Sequence, residues 1–438
     1  LEIEYKNKIM KARHDNLKID KQQNDLHIKV MPTTKFKTTT ITLKFMAPLD
    51  SETMTARSLL SKVLIRATKQ WPTDKAFNQH LSQLYGAYVN SFISKFKDKH
   101  VITISLEIVN ERYLKDQTPL FEKGLDLLKE MIWNPLITDG EFDETFVAQE
   151  KSLLTKKLDA IVDNKSQIAF LNLLKNMFGD QPYRHIASGQ VEYISGITPK
   201  NLYHTYQSML KDDYCAVYVV GNVDEQAVKS QIQSYFDLKP FQFELSHAVP
   251  KPKSHHLPQE IIETDIVDQA KLNMGYKFPA QYGDSQYFAM VVLNVMFGGD
   301  PSSVLFNEVR EKQSLAYSIH SQMDAKNGFM FVLSGVSADK YEIAKDTIIA
   351  EFEKFQHGEF DDDKLELAKK VIISQRQESH DRPKSIIEIL NNNILLEEDM
   401  SETSFIEGIQ NVSRTDIQQL AQETILDTIY ILTKGGND

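Results

Sequence analysis

The sequence predicts an α+β protein built from two similar halves, and three observations support this prediction. Strand-like alternating runs and amphipathic helical runs follow each other in the same order twice along the 438 residues. The tetrapeptide Gly-Glu-Phe-Asp occurs at 140–143 and again at 358–361. A segment with three prolines, 244–260, separates the two copies. We therefore predict a duplicated chain in which each half is a mostly antiparallel sheet with helices packed on one face.

The first half, residues 1–243, begins with two strands and ends with one. Its predicted elements are, in order, the strands LHIKVMP and TTITLKFMAPL, a helix over 55–67, the helix KAFNQHLSQLYG, the strands AYVNSFIS and HVITISLEIV, the helices FEKGLDLLKEMIWNP and ETFVAQEKSLLTKKLDAIV, a helix near NLYHTYQSML and the strand YCAVYVVGNV.

The second half, residues 261–438, repeats this order. Its predicted elements are the strand KLNMGYKF, the helix SQYFAMVVLNVMFGG, a helix beginning at Leu305, the strands LAYSIHSQ and GFMFVLSGV, a helix over 339–355, the helices DDKLELAKKVIISQRQES and TDIQQLAQETI, and the strand DTIYILTKG. In this comparison Ala316-Tyr317 falls opposite Ala87-Tyr88.

The composition excludes several classes of function. The net charge of -11 disfavours a broad nucleic-acid-binding surface. The single cysteine, Cys215, lies in an apolar run, so we expect a packed core thiol and neither an internal disulfide nor a cysteine zinc site. No run of about 18 apolar residues predicts a membrane span. The charged first residues lack the apolar core of a signal peptide, so we expect a cytoplasmic protein.

The stretch LFNEVREKQSLAYSIHSQ, 305–322, places a cation seven residues before a phenol across a predicted helix-to-strand turn. Taken alone, Arg310 and Tyr317 have two interpretations. Arg310 could pair with a nearby carboxylate (Glu308, Glu311 or Asp300) while Tyr317 is a half-buried strand aromatic. Alternatively, both side chains point at one ligand.

No familiar catalytic motif is evident in the sequence. No P-loop, dinucleotide fingerprint or nucleophile elbow occurs. The 12 histidines form no HxH, HxxxH or HxxEH pattern. His255-His256 lies in the proline-rich segment, where neighbouring side chains of an extended chain point apart.

Three segments resemble the pitrilysin, or insulinase-type, metallopeptidases: FGGDPSSVLFNEVREKQSLAYSIHSQ, TKQWP followed by LYGAYVNSFIS, and MIWNPLITDGEF. The resemblance covers nearly the whole chain. It points to the short-chain group related to the mitochondrial processing peptidase, and to an inactive bacterial member of that group. It implies two homologous α/β sandwich domains of the LuxS/MPP-like type. These would be 1–243, with the zinc motif lost, and 261–438, joined by the linker 244–260.

Active members of this family carry His-x-x-Glu-His on the first long helix, where two imidazoles bind one zinc and the glutamate acts as general base. Aligned on the segment Ala67 to Pro72, the motif falls on Ser-Leu-Leu-Ser-Lys. Ser58 and Lys62 then replace the two histidines, and Ser61 replaces the base.

The third zinc ligand of the family should lie on the helix ETFVAQEKSLLTKKLDAIV. Its position falls on Lys157, or on Lys156 after a shift of one residue, and Glu150 matches a supporting acidic position. An ammonium group has no lone pair to offer a metal. We therefore expect no metal or other cofactor in this chain, and no activity from the chain alone.

The same resemblance implies a role for Arg310 and Tyr317. In active short-chain members, an arginine and a tyrosine of the C-terminal half hold the substrate carbonyl region and stabilise the tetrahedral intermediate. We therefore expect a non-catalytic, substrate-binding subunit of a heterodimeric zinc peptidase, with zinc in the homologous partner subunit. The strand edge at AYVNSFIS could bind the peptide substrate as an added strand.

Two alternatives remain open at this stage. One is a homodimeric peptide-binding or scaffold protein with no proteolytic role. The other is an active peptidase that uses a non-standard metal site, for which the sequence offers no ligand set.

Overall fold

The computed structural model describes residues 27–116, 118–236, 257–396 and 398–435. Most of the predicted linker therefore lies outside the described residues, and its last residues begin a strand. The strands are β1 (His27–Pro32), β2 (Thr38–Pro48), β3 (Tyr88–Phe96), β4 (Lys99–Val109), β5 (Ile137–Thr138), β6 (Glu141–Phe142), β7 (Tyr214–Gly221), β8 (Gln259–Asp265), β9 (Ala270–Lys277), β10 (Ala316–Asp324), β11 (Phe329–Val336) and β12 (Ile425–Lys434).

Helices occupy most of the remaining described chain. They are α1 (Met54–Val63), α2 (Asp74–Gln83), α3 (Leu120–Trp133), α4 (Glu144–Asp163), α5 (Lys165–Phe178), α6 (Val191–Ile194), α7 (Pro199–Asp212), α8 (Glu225–Tyr235), α9 (Tyr287–Asn294), α10 (Tyr341–His357), α11 (Asp362–Ser379), α12 (Pro383–Asn392), α13 (Glu402–Gln410) and α14 (Arg414–Glu423). Two π-helices, Val295–Gly299 and Phe306–Lys312, and three short 3₁₀ turns complete the set.

The two large sheets have the same topology. The first has the order β1-β7-β2-β4-β3, and the second has the order β8-β12-β9-β11-β10. In each sheet one outer pair is parallel, β1 with β7 and β8 with β12, and the other three pairs are antiparallel. This correspondence confirms the predicted α+β class with two homologous, mostly antiparallel halves. It also makes β3 and β10 equivalent edge strands.

The residues divide into two compact units. Of the described residues, 27–159, 186–236 and 381–391 form the first, whereas 160–185, 257–380 and 392–435 form the second. Each half of the sequence therefore contributes one segment to the unit built mainly from the other half. A single boundary at the proline-rich segment does not represent this exchange.

In the first unit, one face of the sheet packs against several helices. Gly124 of α3 approaches β4 so closely that an added Cβ would lie 3.1 Å from Cδ2 of Leu106. The opposite face is covered by the exchanged helix α12, where Ile386 and Ile387 pack with Ala216, Tyr218 and Val220 of β7.

The second unit repeats this arrangement. Helices α9, α10 and α14 share a large buried cluster with one face of the sheet. On the other face, Leu173 and Met177 of the exchanged helix α5 pack with Phe329, Phe331 and Tyr430. Each sheet thus has its main helical layer on one face, as predicted, and one additional helix on the other.

No helix in the described part of the chain combines the length and the apolar character needed to cross a membrane.

Candidate functional site

Helix α1 carries Ser58, Ser61 and Lys62, the three positions predicted to correspond to the zinc motif, and it lies against the first sheet. Ser58 and Ser61 are buried. Their spacing of three residues lets the Ser61 hydroxyl donate a hydrogen bond to the backbone oxygen of Ser58 at 2.7 Å. The Ser61 hydroxyl is therefore hydrogen-bonded within its own helix, and a serine hydroxyl does not act as a base at neutral pH.

Lys62 lies one turn beyond Ser58, and its ammonium donates to the backbone oxygen of Ser91 in the edge strand β3. Burial is the main reason that the pKa of Lys62 lies below its ordinary value, and the positive charge of Lys157 lowers it further, against an opposing effect of Glu150. The structure thus brings the second and third predicted ligand positions within electrostatic range of each other.

Lys157 is exposed on α4, and its Nζ donates to the Ser188 hydroxyl at 2.8 Å. Ser188 precedes Gly189, whose φ of 87° and close approach to Thr55 require glycine, since an added Cβ would lie 2.6 Å from the Thr55 Cα. Thr55 lies one turn before Ser58 on α1. The contact between Gly189 and Thr55 therefore holds Ser188, the hydrogen-bond partner of Lys157, beside α1.

Glu150, the supporting acidic position, is buried and contacts Arg66, with 3.2 Å between Oε1 and Nη1. Burial raises the pKa of Glu150, while the charges of Arg66 and Lys62 oppose that rise. The Glu150 carboxylate thus interacts with the positive charges of Arg66 and Lys62.

These side chains do not fit a zinc ion. Two of the three predicted ligand positions hold ammonium groups, and the third holds a buried serine. Within the described ranges, no group of three or more His, Cys, Asp or Glu side chains is placed to hold a metal.

A buried network next to the motif was not anticipated from the sequence. Arg57 donates through Nε to Nδ1 of His100 at 3.1 Å and forms an ion pair with Asp213 at 2.7 Å. His100 Nε2 lies 2.8 Å from the backbone oxygen of Ala187 and donates to it, because Nδ1 already accepts. The sequence signal for this network was Arg57, a charged residue that lies between residues of the apolar face of α1.

Arg310 and Tyr317 lie on a segment of the second unit with three consecutive backbone irregularities. Arg310 is in the π-helix Phe306–Lys312 rather than in the predicted α-helix. Ser314 follows with a φ of 50°, in the left-handed region. The pairing of β10 with β11 shifts register between Ala316 and Ser318, so Tyr317 lies in a β-bulge.

Hydrogen bonds stabilise the turn between the helix and the strand. The Ser314 amide donates to the Arg310 oxygen at 3.1 Å, and the Leu315 amide donates to the Val309 oxygen at 2.9 Å. The bond from Ser314 to Arg310 and the left-handed Ser314 define an αL cap at the end of the π-helix, and Val309 and Leu315 beside it are both buried. Bulges and π-helices are enriched at functional sites because they redirect side chains.

Both side chains are accessible. The Arg310 side chain is 42% exposed, its Cζ lies 4.6 Å from the centre of the Phe306 ring, and its Nε is 3.5 Å from Glu311. Of the other carboxylates proposed as structural partners, Glu308 pairs with Lys312 at 2.7 Å and Asp300 accepts from Ser302.

Tyr317 is 63% exposed, and within the described ranges no side chain forms a hydrogen bond with its hydroxyl. It is therefore not the half-buried strand aromatic of the structural interpretation. The equivalent residue of the first unit is Tyr88, at the start of β3 and 61% exposed. There the pairing with β4 continues without a register shift, so the bulge is particular to the second unit.

The fold and the residues at the predicted metal positions define a class of protein: a two-unit peptidase-like chain with serine and lysine where the family resemblance places the zinc motif. Residues 196–372 match the family model described as the Peptidase M16 inactive domain. The chain is 37% identical to "Probable inactive metalloprotease YmfF" of Bacillus subtilis (strain 168), over 92% of this chain and 94% of that protein. This chain belongs to the M16, or insulinase-type, peptidase family.

Two further relatives extend this similarity. The chain is 25% identical to "Uncharacterized zinc protease YmfH" of the same Bacillus subtilis strain, over 72% of this chain and 73% of that protein. The crystal structure of a conserved protein from Enterococcus faecalis V583 superposes with a TM-score of 0.87, at 30% identity, over 94% of this chain and 97% of that one.

Proposed function

We propose that this chain is a catalytically inactive M16 homologue that serves as the substrate-binding subunit of a heterodimeric zinc peptidase. The observation that carries the proposal is an asymmetry between the two units. The predicted metal positions of the first unit hold serine and lysine, whereas Arg310 and Tyr317 of the second unit are exposed on an irregular, hydrogen-bonded turn.

The chemistry of this pair suits binding of a peptide carbonyl. A guanidinium and a phenol hydroxyl both donate hydrogen bonds, and a bond from a charged donor is stronger than one between neutral groups. Donors of this kind stabilise an oxygen on which negative charge develops when a carbonyl is attacked. Zinc and the general base would be supplied by the partner subunit, and this chain would hold the substrate.

The relatives support a two-chain arrangement. Bacillus subtilis has one protein named "Probable inactive metalloprotease" and another named "Uncharacterized zinc protease", and this chain resembles both. A partner with the properties of the second would supply what this chain lacks.

Co-purification from the native host, followed by reconstitution with the zinc-bearing homologue, tests the proposal. We expect the complex to contain zinc and to cleave unfolded peptides, while this chain alone does neither. Arg310→Ala should lower kcat/KM of the complex by about 10²–10³-fold, the usual effect of losing one transition-state donor. Tyr317→Phe should lower it less.

Lys312→Ala is the matched control, because Lys312 lies in the same π-helix and pairs with Glu308. It should leave kcat/KM unchanged. If Arg310→Ala behaves like Lys312→Ala, the clamp role is wrong. If the chain forms a stable homodimer and never binds a zinc-bearing homologue, the peptide-binding or scaffold function replaces the heterodimer.

A further inference from the structure

A cavity of about 190 Å³ lies in the first unit on the sheet face that carries α12. Its floor comes from three adjacent strands, with Thr40 of β2, Glu107 of β4 and Tyr88 of β3 in one cross-strand row. Arg382 and Lys384, at the start of α12, line the opposite side. The cavity is distinct from the zinc-motif positions, which lie on α1 and α4, and from Arg310 and Tyr317.

The floor of the cavity is polar, with Glu107 and Tyr88 exposed at its rim and Thr40 and Thr42 buried. The hydroxyls of Thr42 and Ser105 lie 2.9 Å apart and satisfy each other. Thr40 is only 6% exposed, and its hydroxyl has no hydrogen-bond partner among the described residues. A buried hydroxyl without a partner is unfavourable, and native structures rarely keep one without a ligand, water or function that explains it.

The charges around the cavity are separated rather than paired. Lys44 of the same sheet face is matched by Glu388 at 2.6 Å. Lys384 instead places its ammonium 4.3 Å from the centre of the Phe92 ring. Within the described ranges, no ion pair joins Arg382 or Lys384 to a carboxylate, and none joins Glu107 to a cation.

We propose that this cavity binds a small zwitterion, an α-amino acid or dipeptide. The carboxylate contacts Arg382 and Lys384, the ammonium contacts Glu107, and the Thr40 hydroxyl completes the hydrogen bonding. A ligand with both charges matches the unpaired charges on both sides, whereas an anion or a cation would satisfy only one side. Tyr88, Phe92 and Ile387 offer apolar surface to an aliphatic side chain.

The volume agrees with this size class, because drug-sized ligands occupy pockets of about 300–1,000 Å³. Amino acids and dipeptides are also the smallest products of peptide hydrolysis. The proposal itself concerns the isolated chain, so it can fail or succeed independently of the heterodimeric peptidase.

Isothermal titration calorimetry of the purified chain tests the site. Leucine and leucyl-leucine are the ligands, and the stronger binder identifies the natural source. N-acetyl-leucine lacks the ammonium and leucinamide lacks the carboxylate, so each should bind at least about tenfold more weakly. Equal binding of N-acetyl-leucine or leucinamide, or no binding of either zwitterion at millimolar concentration, would overturn the proposal.

Variants separate binding from folding. Arg382→Gln and Glu107→Gln change exposed side chains and should each weaken binding about tenfold or more. Lys200→Gln, on the exposed surface of α7, is the matched control and should bind like the wild type. Thr40→Val should weaken binding while leaving the melting temperature of the free protein unchanged or higher, since the buried hydroxyl is removed. Wild-type affinity in both charge variants would contradict the assignment.

Discussion

His100 illustrates how strongly one buried side chain depends on its neighbours. Burial first, and then the charge of Arg57, lowers its pKa to about 4 from an ordinary value of 6.5. Its two ring nitrogens already contact Arg57 and the Ala187 oxygen. The folded protein therefore holds His100 neutral, although an imidazole in the unfolded chain takes up a proton near pH 6.5.

This difference predicts acid sensitivity. A histidine whose folded pKa is depressed contributes stability that is fully present above pH 6.5 and is lost as the pH falls toward 4. The loss should reach about 3 kcal/mol of unfolding free energy at the acid end of this range. Denaturant unfolding at pH 7.5 and pH 4.5 measures it.

His100→Gln is the comparison, because glutamine does not titrate. Its unfolding free energy should fall less between the two pH values than that of the wild type. Asp213, whose pKa burial raises against the charge of Arg57, is present in both proteins. Equal losses in the two proteins would show that His100 does not control the acid response.

At the scale of elements, the segment from Phe306 to Ser318 combines a π-helix, a left-handed residue and a bulge. Regular structure would orient Arg310 and Tyr317 by the periods of an ordinary helix and strand. The irregular backbone instead sets both directions, so the geometry of the pair depends on Ser314.

Substitutions at Ser314 test this dependence. Ser314→Gly should keep or raise the unfolding free energy, within about 1 kcal/mol, because glycine adopts a positive φ without strain. Ser314→Val should lower it by about 1–2 kcal/mol, since a β-branched residue is unfavourable there. Gln322→Val, at an exposed position in the regularly paired part of β10, serves as control and should be nearly neutral. A neutral Ser314→Val would contradict the role given to the turn.

The sequence predicted most strands and the main helices, since burial imposes periods that residue types reveal. It did not predict the π geometry at 306–312, because its apolar spacing also fits an α-helix. The sequence analysis also predicted no helix at 165–178 or 383–392. Each of these helices packs on a sheet formed mainly by the other half of the chain, and such tertiary packing is not visible in a local sequence pattern. The site showed a similar limit: the replaced zinc positions followed from a family resemblance, whereas the unpartnered Thr40 hydroxyl is visible only in three dimensions.

At the scale of the whole molecule, the two exchanged helices make each unit depend on both halves of the sequence. Without α12, the β7 face with Tyr218 and Val220 loses its cover of Ile386 and Ile387. Fully burying one such side chain contributes about 1.5–3 kcal/mol. A cut at the proline-rich segment therefore removes part of each core.

Separate expression of the fragments 1–243 and 261–438 tests this dependence. We expect each fragment alone to melt with low cooperativity and to bind a hydrophobic dye, because apolar side chains on one face of each sheet are uncovered. A synthetic peptide spanning 381–392 should raise the melting temperature of the first fragment, and a scrambled peptide should not. A cooperative melt of the first fragment that the peptide leaves unchanged would contradict the expectation.

The exchange of α12 also sets the order of events during synthesis. Chains emerge from the ribosome from the N-terminus at about 5–20 residues per second, and units normally fold as they emerge. The strands of the first sheet are complete at Gly221, but its second cover is encoded only at 383–392. The first sheet thus waits, with the apolar β7 side chains of one face uncovered, until most of the second half has been translated, and during this interval the nascent chain is exposed to aggregation and to chaperones.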